Sequence, residues 1–396
     1  MTPIRLRPTM MASLAVMALA SATTAAAGQV ITLTPISNQK TVLASVRPGD
    51  TLRITGSFAN TVVLSNRDFG NVQVDASTAT FQGGLMLNNV HNLAFSGGTY
   101  GRSDMDIRPW HTVQVQFSSN ISLDQGRFLG NFDNRGSGLL VVKSNQVTVS
   151  SSQFIGHGTG LGVRTSTNVL VTRNSITGSA ADGINVVDSQ RVIVSSNSCS
   201  AFTPGTGSHP DCIQLWSLNG RPLQSDIAIL NNSAIGNMQA FVSFDPRTGS
   251  GERLIFAGNF AAITYTHGVS CTRCNDSIFI DNILTNLPDA RWGAPSVRLT
   301  EGLRNLVANN QSFDVRGLAG QPGFELPSPI RSSFAPAWAG SVGSQIGSLF
   351  ASNGDDTVSV SSVPEPATWL MLGFGFVAVG RQLRQRQRLG PKWVSA

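Results

Sequence analysis

Val169-Leu-Val-Thr-Arg-Asn174, Val192-Ile-Val-Ser-Ser-Asn197 and Ile227-Ala-Ile-Leu-Asn-Asn232 are three copies of one phrase. A fourth reads Leu254-Ile-Phe-Ala-Gly-Asn259, and weaker copies begin near Leu93, Ile121, Val147, Ser277 and Asn305. The starts fall about 22 to 35 residues apart, the spacing of a stacked repeat architecture. Each copy is a short alternating apolar run that ends in a polar turn, so the unit is a strand plus a turn rather than a helix. One such unit cannot bury its apolar side alone, whereas stacked copies share a continuous core. The terminal asparagines Asn174, Asn197, Asn232, Asn259, Asn282 and Asn310 are then expected to lie one above another, amide bonded to amide. The predicted fold class is all-β, a parallel β-helix solenoid whose long flat faces suit an extended polymer.

Aligning the coils on a small residue sets the columns. Gly138, Gly160, Gly183, Cys212, Ala240 and Gly268 start the register. Leu139, Leu161, Ile184, Ile213, Phe241 and Val269 follow as an inward set, and Val141, Val163, Val186, Leu215, Ser243 and Cys271 form a second. Between them lies an outward column with Asn185, Gln214 and Ser270. The residue before the start gives Ser137, Thr159, Asp182, Asp211, Gln239 and His267, and the fifth after it gives Lys143, Thr165, Asp188, Ser217, Asp245 and Arg273. The coils are expected over 84–314. Residues 28–83 read as an N-terminal cap with strands at Val30–Leu33 and Thr51–Ile54, and a turn at Arg47-Pro-Gly-Asp50. Residues 315–362, rich in Gly, Pro and Ser, read as a C-terminal cap grading into a linker.

The ends of the chain are targeting segments. Arg5 and Arg7, an apolar run from Met10 to Ala20 and then Ala25-Ala-Ala27 make residues 1–27 a secretory signal peptide. At the other end, Pro364-Glu-Pro366 precedes a short apolar run, Ala367 to Gly380, and then Arg381, Arg384, Arg386 and Arg388. The run is shorter than the ~20 residues of a comfortable membrane span. This order over 363–396 resembles the PEP-CTERM sorting signal of Gram-negative bacteria. That resemblance implies export through the inner membrane and membrane contact through the C-terminal segment. It further implies cleavage by an exosortase-type sorting machinery and residence at the cell surface or in the extracellular matrix.

The formal charge of +6 belongs to these ends. Without Arg5, Arg7, the four tail arginines and Lys392, 21 of 28 basic residues remain, against 21 of 22 acidic residues without Glu365. The mature body is neutral, and no nucleic-acid partner is expected. Cys199, Cys212, Cys271 and Cys274 suit an oxidising compartment, each pair as a disulfide or as packed thiols.

Asp182-Gly-Ile184, Asp211-Cys-Ile213 and His267-Gly-Val269 occupy equivalent places in their coils. Here the chain resembles the polygalacturonase family of glycoside hydrolases, right-handed β-helices whose acids hydrolyse the glycosidic bond with inversion. The resemblance implies Asp182 and Asp211 as catalytic acids, His267 as the family histidine and Arg298 as its substrate-binding arginine. Pro210 stands where the first Asp of the family's pair is expected, Thr300 replaces its lysine, and an extra coil separates Asp211 from His267. Inverting hydrolysis independently asks for two carboxyls about 6.5–9.5 Å apart, which consecutive coils can supply; an Asp before Gly equally serves as a turn cap.

His209-Pro-Asp-Cys-Ile-Gln-Leu-Trp216 gathers a histidine that could assist catalysis, an amide and an aromatic platform on one coil. Trp216 either stacks on sugar rings or packs under the loop near Pro222. Together with Arg47-Pro-Gly-Asp-Thr-Leu-Arg53, this string resembles exported right-handed β-helix repeat proteins of the pectate-lyase-like superfamily, which implies an extracellular polysaccharide as ligand. Gln214, Trp216, Asn185, Asp188, Arg247 and Arg298 are the candidate substrate contacts. A lyase would use cations such as Lys143, Arg164, Arg247 and Arg273. No cofactor is expected, since Asp188 with Asp245 makes no calcium cluster. A non-catalytic exopolysaccharide-binding or matrix protein is the rival reading.

Overall fold

A computed structural model of the chain describes residues 28–103, 111–132, 136–205, 209–218, 221, 223–243, 251–316 and 327. The expected signal peptide, the sorting tail with its apolar run, nearly all of the expected C-terminal linker, Asp245, Arg247 and Pro222 lie outside them. The described chain winds into a right-handed parallel β-helix with almost no α-helix. Each coil contributes up to three short strands, and every paired strand runs parallel to its neighbours.

Sheet 1 is built by Val113–Gln116, Ser137–Val142, Thr159–Arg164, Ile184–Val187, Asp211–Trp216, Gln239–Ser243, His267–Thr272 and Ser296–Thr300. Sheet 2 carries the repeated phrase, from Ser119–Asp124 through Asn145–Ser150, Thr167–Thr172, Gln190–Ser195, Ser225–Leu230 and Gly251–Ala257 to Ile278–Ile280. Sheet 3 is made of three- and four-residue strands, among them Arg127–Leu129, Gln153–Ile155, Ser175–Thr177 and Ser198–Ser200. The expected register holds: Leu139, Leu161, Ile184, Ile213, Phe241 and Val269 are successive Cα partners, and all are wholly buried.

Stacking begins before the first expected coil. Val30–Leu33 pairs with Thr51–Ile54, and the long strands Val62–Phe81 and Leu85–Ser96 bend around corners to serve more than one sheet. The helix Gln39–Ser45, started by Asn38 accepting from the Thr41 N–H, lays Val42 and Leu43 against the core at this end. It covers the open rung that would otherwise present unpaired strand edges.

Inside sheet 3 the rings of Phe58, Phe81, Tyr100, Phe128 and Phe154 stack one per coil, with centroids 4.4 to 5.6 Å apart. At the corner from sheet 2 to sheet 3 the asparagine ladder forms as expected. Asn197 Nδ2 donates to Asn232 Oδ1 at 3.0 Å and to the Val171 carbonyl, while its own Oδ1 accepts from Asn174. The chain of amides continues through Asn259 and Asn282 to Asn310. A second ladder lies at the corner from sheet 1 to sheet 2. There Ser144, Ser166 and Ser189 each accept the N–H of the serine one coil earlier and donate to the carbonyl two residues back. Outside the same corner Asn168, Arg191, Asp226, Arg253, Asp276 and Arg304 all have left-handed φ, between 51° and 57°. Arg253 grips Asp226 through two nitrogens, at 2.6 and 2.9 Å, and Arg304 grips Asp276 in the same way.

Candidate active face

The outer side of sheet 1 holds the candidate residues because each of its strands is entered through a tight corner. Gly183 marks that corner: an added Cβ there would sit 2.6 Å from the Cys212 carbonyl and 2.9 Å from Cys199 Sγ. The close approach of coils at this point brings the preceding residues, Asp182 and Asp211, onto adjacent rungs. The Asp211 N–H donates to Asp182 Oδ1 at 3.3 Å. Cys212, the next residue, is tied to Cys199 by a disulfide with a Cα separation of 5.6 Å, which anchors the strand from behind. Cys271 and Cys274 form the second disulfide.

Asn185 organises the exposed part of the site. Its Nδ2 donates to Asp182 Oδ2 at 2.7 Å and to Gln214 Oε1 at 2.9 Å, and its Oδ1 accepts the Trp216 Nε1 proton at 2.9 Å. The Trp216 indole is therefore held on the outer face by its polar edge, with Leu215 buried behind it. Asp182, Asn185, Gln214 and Trp216 thus form one connected polar surface over two coils.

The two carboxyls have different surroundings. Asp182 is partly exposed, and burial raises its pKa while the bonds from Asn185 and the Asp211 N–H oppose the rise. Asp211 is 0% exposed, and neither carboxyl oxygen has a hydrogen-bond partner among the described residues. Burial pushes its pKa well above the usual carboxylate range, and the neighbouring Asp182 pushes it further. Burial thus favours the neutral form of both carboxyls, most strongly at Asp211, and hydrogen bonds work against it only at Asp182.

His209 is exposed, near enough for its charge to act on both Asp182 and His267. His267 lies two coils beyond Asp211; its Nδ1 pairs with Ser270 Oγ at 2.8 Å, and burial followed by the charge of Arg298 lowers its pKa. Arg298 is exposed on the next rung, with Nε donating to Ser296 Oγ. Asp188 sits apart from this group: it is buried, has φ 49°, and its Oδ1 accepts the Leu218 N–H at 2.7 Å, closing a turn. Of the cations weighed for lyase chemistry, Arg273 is paired with Glu301 at 2.8 Å. Among the described residues no three His, Cys, Asp or Glu side chains gather as a metal site. Gln239, on the rung between Asp211 and His267, is buried with its Oε1 unpartnered among the described residues; its only sequence signal is its place in the column that also holds Asp182, Asp211 and His267.

Residues 111–286 match the family model of the right-handed β-helix region, and residues 362–386 match the PEP-CTERM protein-sorting motif. No curated protein matches the chain by sequence. Among solved structures, DFA-IIIase from Arthrobacter chlorophenolicus A6 is similar at a TM-score of 0.51 and 11% identity, covering 77% of this chain and 91% of that one. Pectate lyase Pel9A gives 0.49 and 12%, covering 79% and 84%. The Streptococcus pneumoniae surface protein and adhesin PfbA gives 0.48 and 10%, covering 69% and 93%. At these identities the likeness is one of fold. Among the described residues no helix is long and apolar enough to cross a membrane. The chain is an exported right-handed parallel β-helix protein that carries a PEP-CTERM sorting motif.

Proposed function

We propose that the outer face of sheet 1 receives an extracellular polysaccharide and that Asp182 and Asp211 hydrolyse one of its glycosidic bonds. The observation that carries this reading is the unequal surroundings of the carboxyl pair: Asp211 is wholly buried with neither oxygen partnered among the described residues, while Asp182 is partly exposed and accepts from Asn185 and the Asp211 N–H. Hydrolysis needs one acid and one base, and a pair whose surroundings separate the two roles supplies them. In this mechanism Asp182 takes a proton from water as the water oxygen bonds to the anomeric carbon. The bond to the leaving oxygen breaks, and that oxygen receives the Asp211 proton. Trp216 offers a ring face to a sugar and Gln214 its amide to a sugar hydroxyl, while the buried Asn185 holds both in place. His209 and His267 flank the pair, and Arg298 extends the face.

One observation favours a second reading, binding without cleavage: the carboxyl of Asp211 is fully covered, so a glycan has to displace its cover before the proton can be delivered. In either case the tail would be read by an exosortase-type machinery and the body left at the cell surface. Purified wild type and Asp211→Asn, incubated with neutral and uronic polysaccharides, separate the readings. New reducing ends without unsaturated products, lost in the variant, support hydrolysis. Unsaturated uronates would move the chemistry to the cations. Binding without any product supports the second reading.

A further inference from the structure

Asp211 and Gln239 are Cα partners on adjacent parallel strands of sheet 1. They occupy the same column, the one just before the start of the register, so their backbones stand about 4.8 Å apart. Asp211 is 0% and Gln239 6% exposed, and each carries buried oxygen with no hydrogen-bond partner among the described residues: both carboxyl oxygens of Asp211, and Oε1 of Gln239. Two neighbouring rungs thus hold unsatisfied acceptors in a place closed to solvent, where each such group is costly. An ionised carboxylate only accepts and an amide oxygen only accepts, so neither can satisfy the other. A carboxylic acid has one O–H to donate, and that proton gives Gln239 Oε1 its donor while sparing the site a buried charge.

We propose that Gln239 is a positioning residue that holds the acid proton of Asp211, with the Asp211 O–H donating to Gln239 Oε1. The inference rests on the reading of Asp211 as the acid of the site and gives that acid a keeper from outside the carboxyl pair. Of the charged groups around it, Asp182 on the preceding rung acts on Asp211 directly, His209 two residues earlier acts on Asp182 and His267, and Arg298 acts on His267 on the rungs beyond Gln239. Gln239 adds no charge to this set. It acts by making the neutral state of Asp211 the hydrogen-bonded one. An amide turned end for end would do the opposite, since an N–H aimed at Asp211 would favour the carboxylate. The sign of its effect therefore decides the matter.

The test follows the protonated-carboxyl band of Asp211 in infrared difference spectra of wild type against Asp211→Asn, over a pH series and without substrate. The same band is then followed in Gln239→Met, with its own Asp211→Asn control. If Gln239 holds the proton, the midpoint of the band falls by about one pH unit in Gln239→Met. A midpoint that stays or rises overturns the assignment. Gln239→Asn, which withdraws the amide by one methylene, is read in the same way if the methionine variant does not fold. Because the titration is read without turnover, a chain that cleaves no glycan leaves it standing, while an unmoved midpoint in an active enzyme removes only Gln239. In an active enzyme the alkaline limb of the pH–rate profile should shift down with the midpoint, which a merely structural substitution would not cause.

Discussion

The Asp211 N–H donates to Oδ1 of Asp182 across the gap between two coils, so the backbone of one acid steadies the carboxylate of the other. Asp182→Asn keeps the shape and removes the charge, while Asp211→Asn keeps the buried polar group and removes the transferable proton. Each is expected to lower kcat on a responsive polysaccharide by about 10²- to 10⁴-fold, the usual contribution of general acid–base groups. Binding, measured on the same polymer, should change far less in Asp211→Asn, because the amide keeps the shape of the carboxyl and removes only its transferable proton. Loss of binding in step with activity would argue that the pair shapes the face rather than acts in it.

Stability should depend on pH with a definite sign. The unfolded carboxyls titrate near 3.8, and burial raises both Asp182 and Asp211 above that value in the folded chain. Folding with these groups neutral is favoured at low pH, and that contribution is lost as the pH climbs from about 3.8 through the raised folded values. Thermal melting of the wild type should therefore drop over this window, and Asp211→Asn should flatten most of the drop, with the part due to Asp182 remaining. Parallel melting curves for the two proteins would mean that Asp211 is not the buried acid.

How the chain could be read depended on which residues break a pattern. Asn174 or Asn197 ends an apolar run at a fixed offset, so the ladder stands out in the sequence. Ser144, Ser166 and Ser189 recur just as regularly, three residues after Val141, Val163 and Val186, but serine is common in every turn and carried no signal. The alternating Arg191, Asp226, Arg253, Asp276 and Arg304 carry no sequence signal for a related reason: a surface charge becomes a ladder only once the register is known. The column holding Asp182, Asp211, Gln239 and His267 is legible in the sequence, whereas the complete burial of Asp211 is not, because its neighbours in that column, Asp182 and His267, are only partly buried and repeat position alone does not set exposure.

The asparagine ladder should be cooperative and strongest in its middle. Removing Asn197 leaves the Asn174 N–H without its acceptor, takes a donor from the Val171 carbonyl and breaks the bond to Asn232. Asn197→Ala is expected to cost roughly 3–5 kcal/mol in denaturant unfolding, since each buried orphan costs about 1–3 kcal/mol. Asn310 ends the chain of amides and is partly exposed, so Asn310→Ala should cost roughly 1 kcal/mol. Equal losses at the two positions would show that the amides act singly.

Cys199 and Cys212, 13 residues apart, tie sheet 3 to the corner that begins the Asp211 strand. Closing a loop of this size is worth about 3 kcal/mol, against roughly half that for Cys271 and Cys274, which are only 3 residues apart. Cys199→Ala with Cys212→Ala should therefore destabilise the chain by about 3 kcal/mol in denaturant melts. The same double variant should also act on the site. With its anchor gone, the start of the strand has freedom to admit water to Asp211, and the raised pKa, which burial sustains, should move back toward 3.8. The infrared band of the protonated Asp211 carboxyl would then vanish at lower pH than in the wild type. A large stability loss with an unmoved band would confine the disulfide to the fold and leave the cover over Asp211 to its loops.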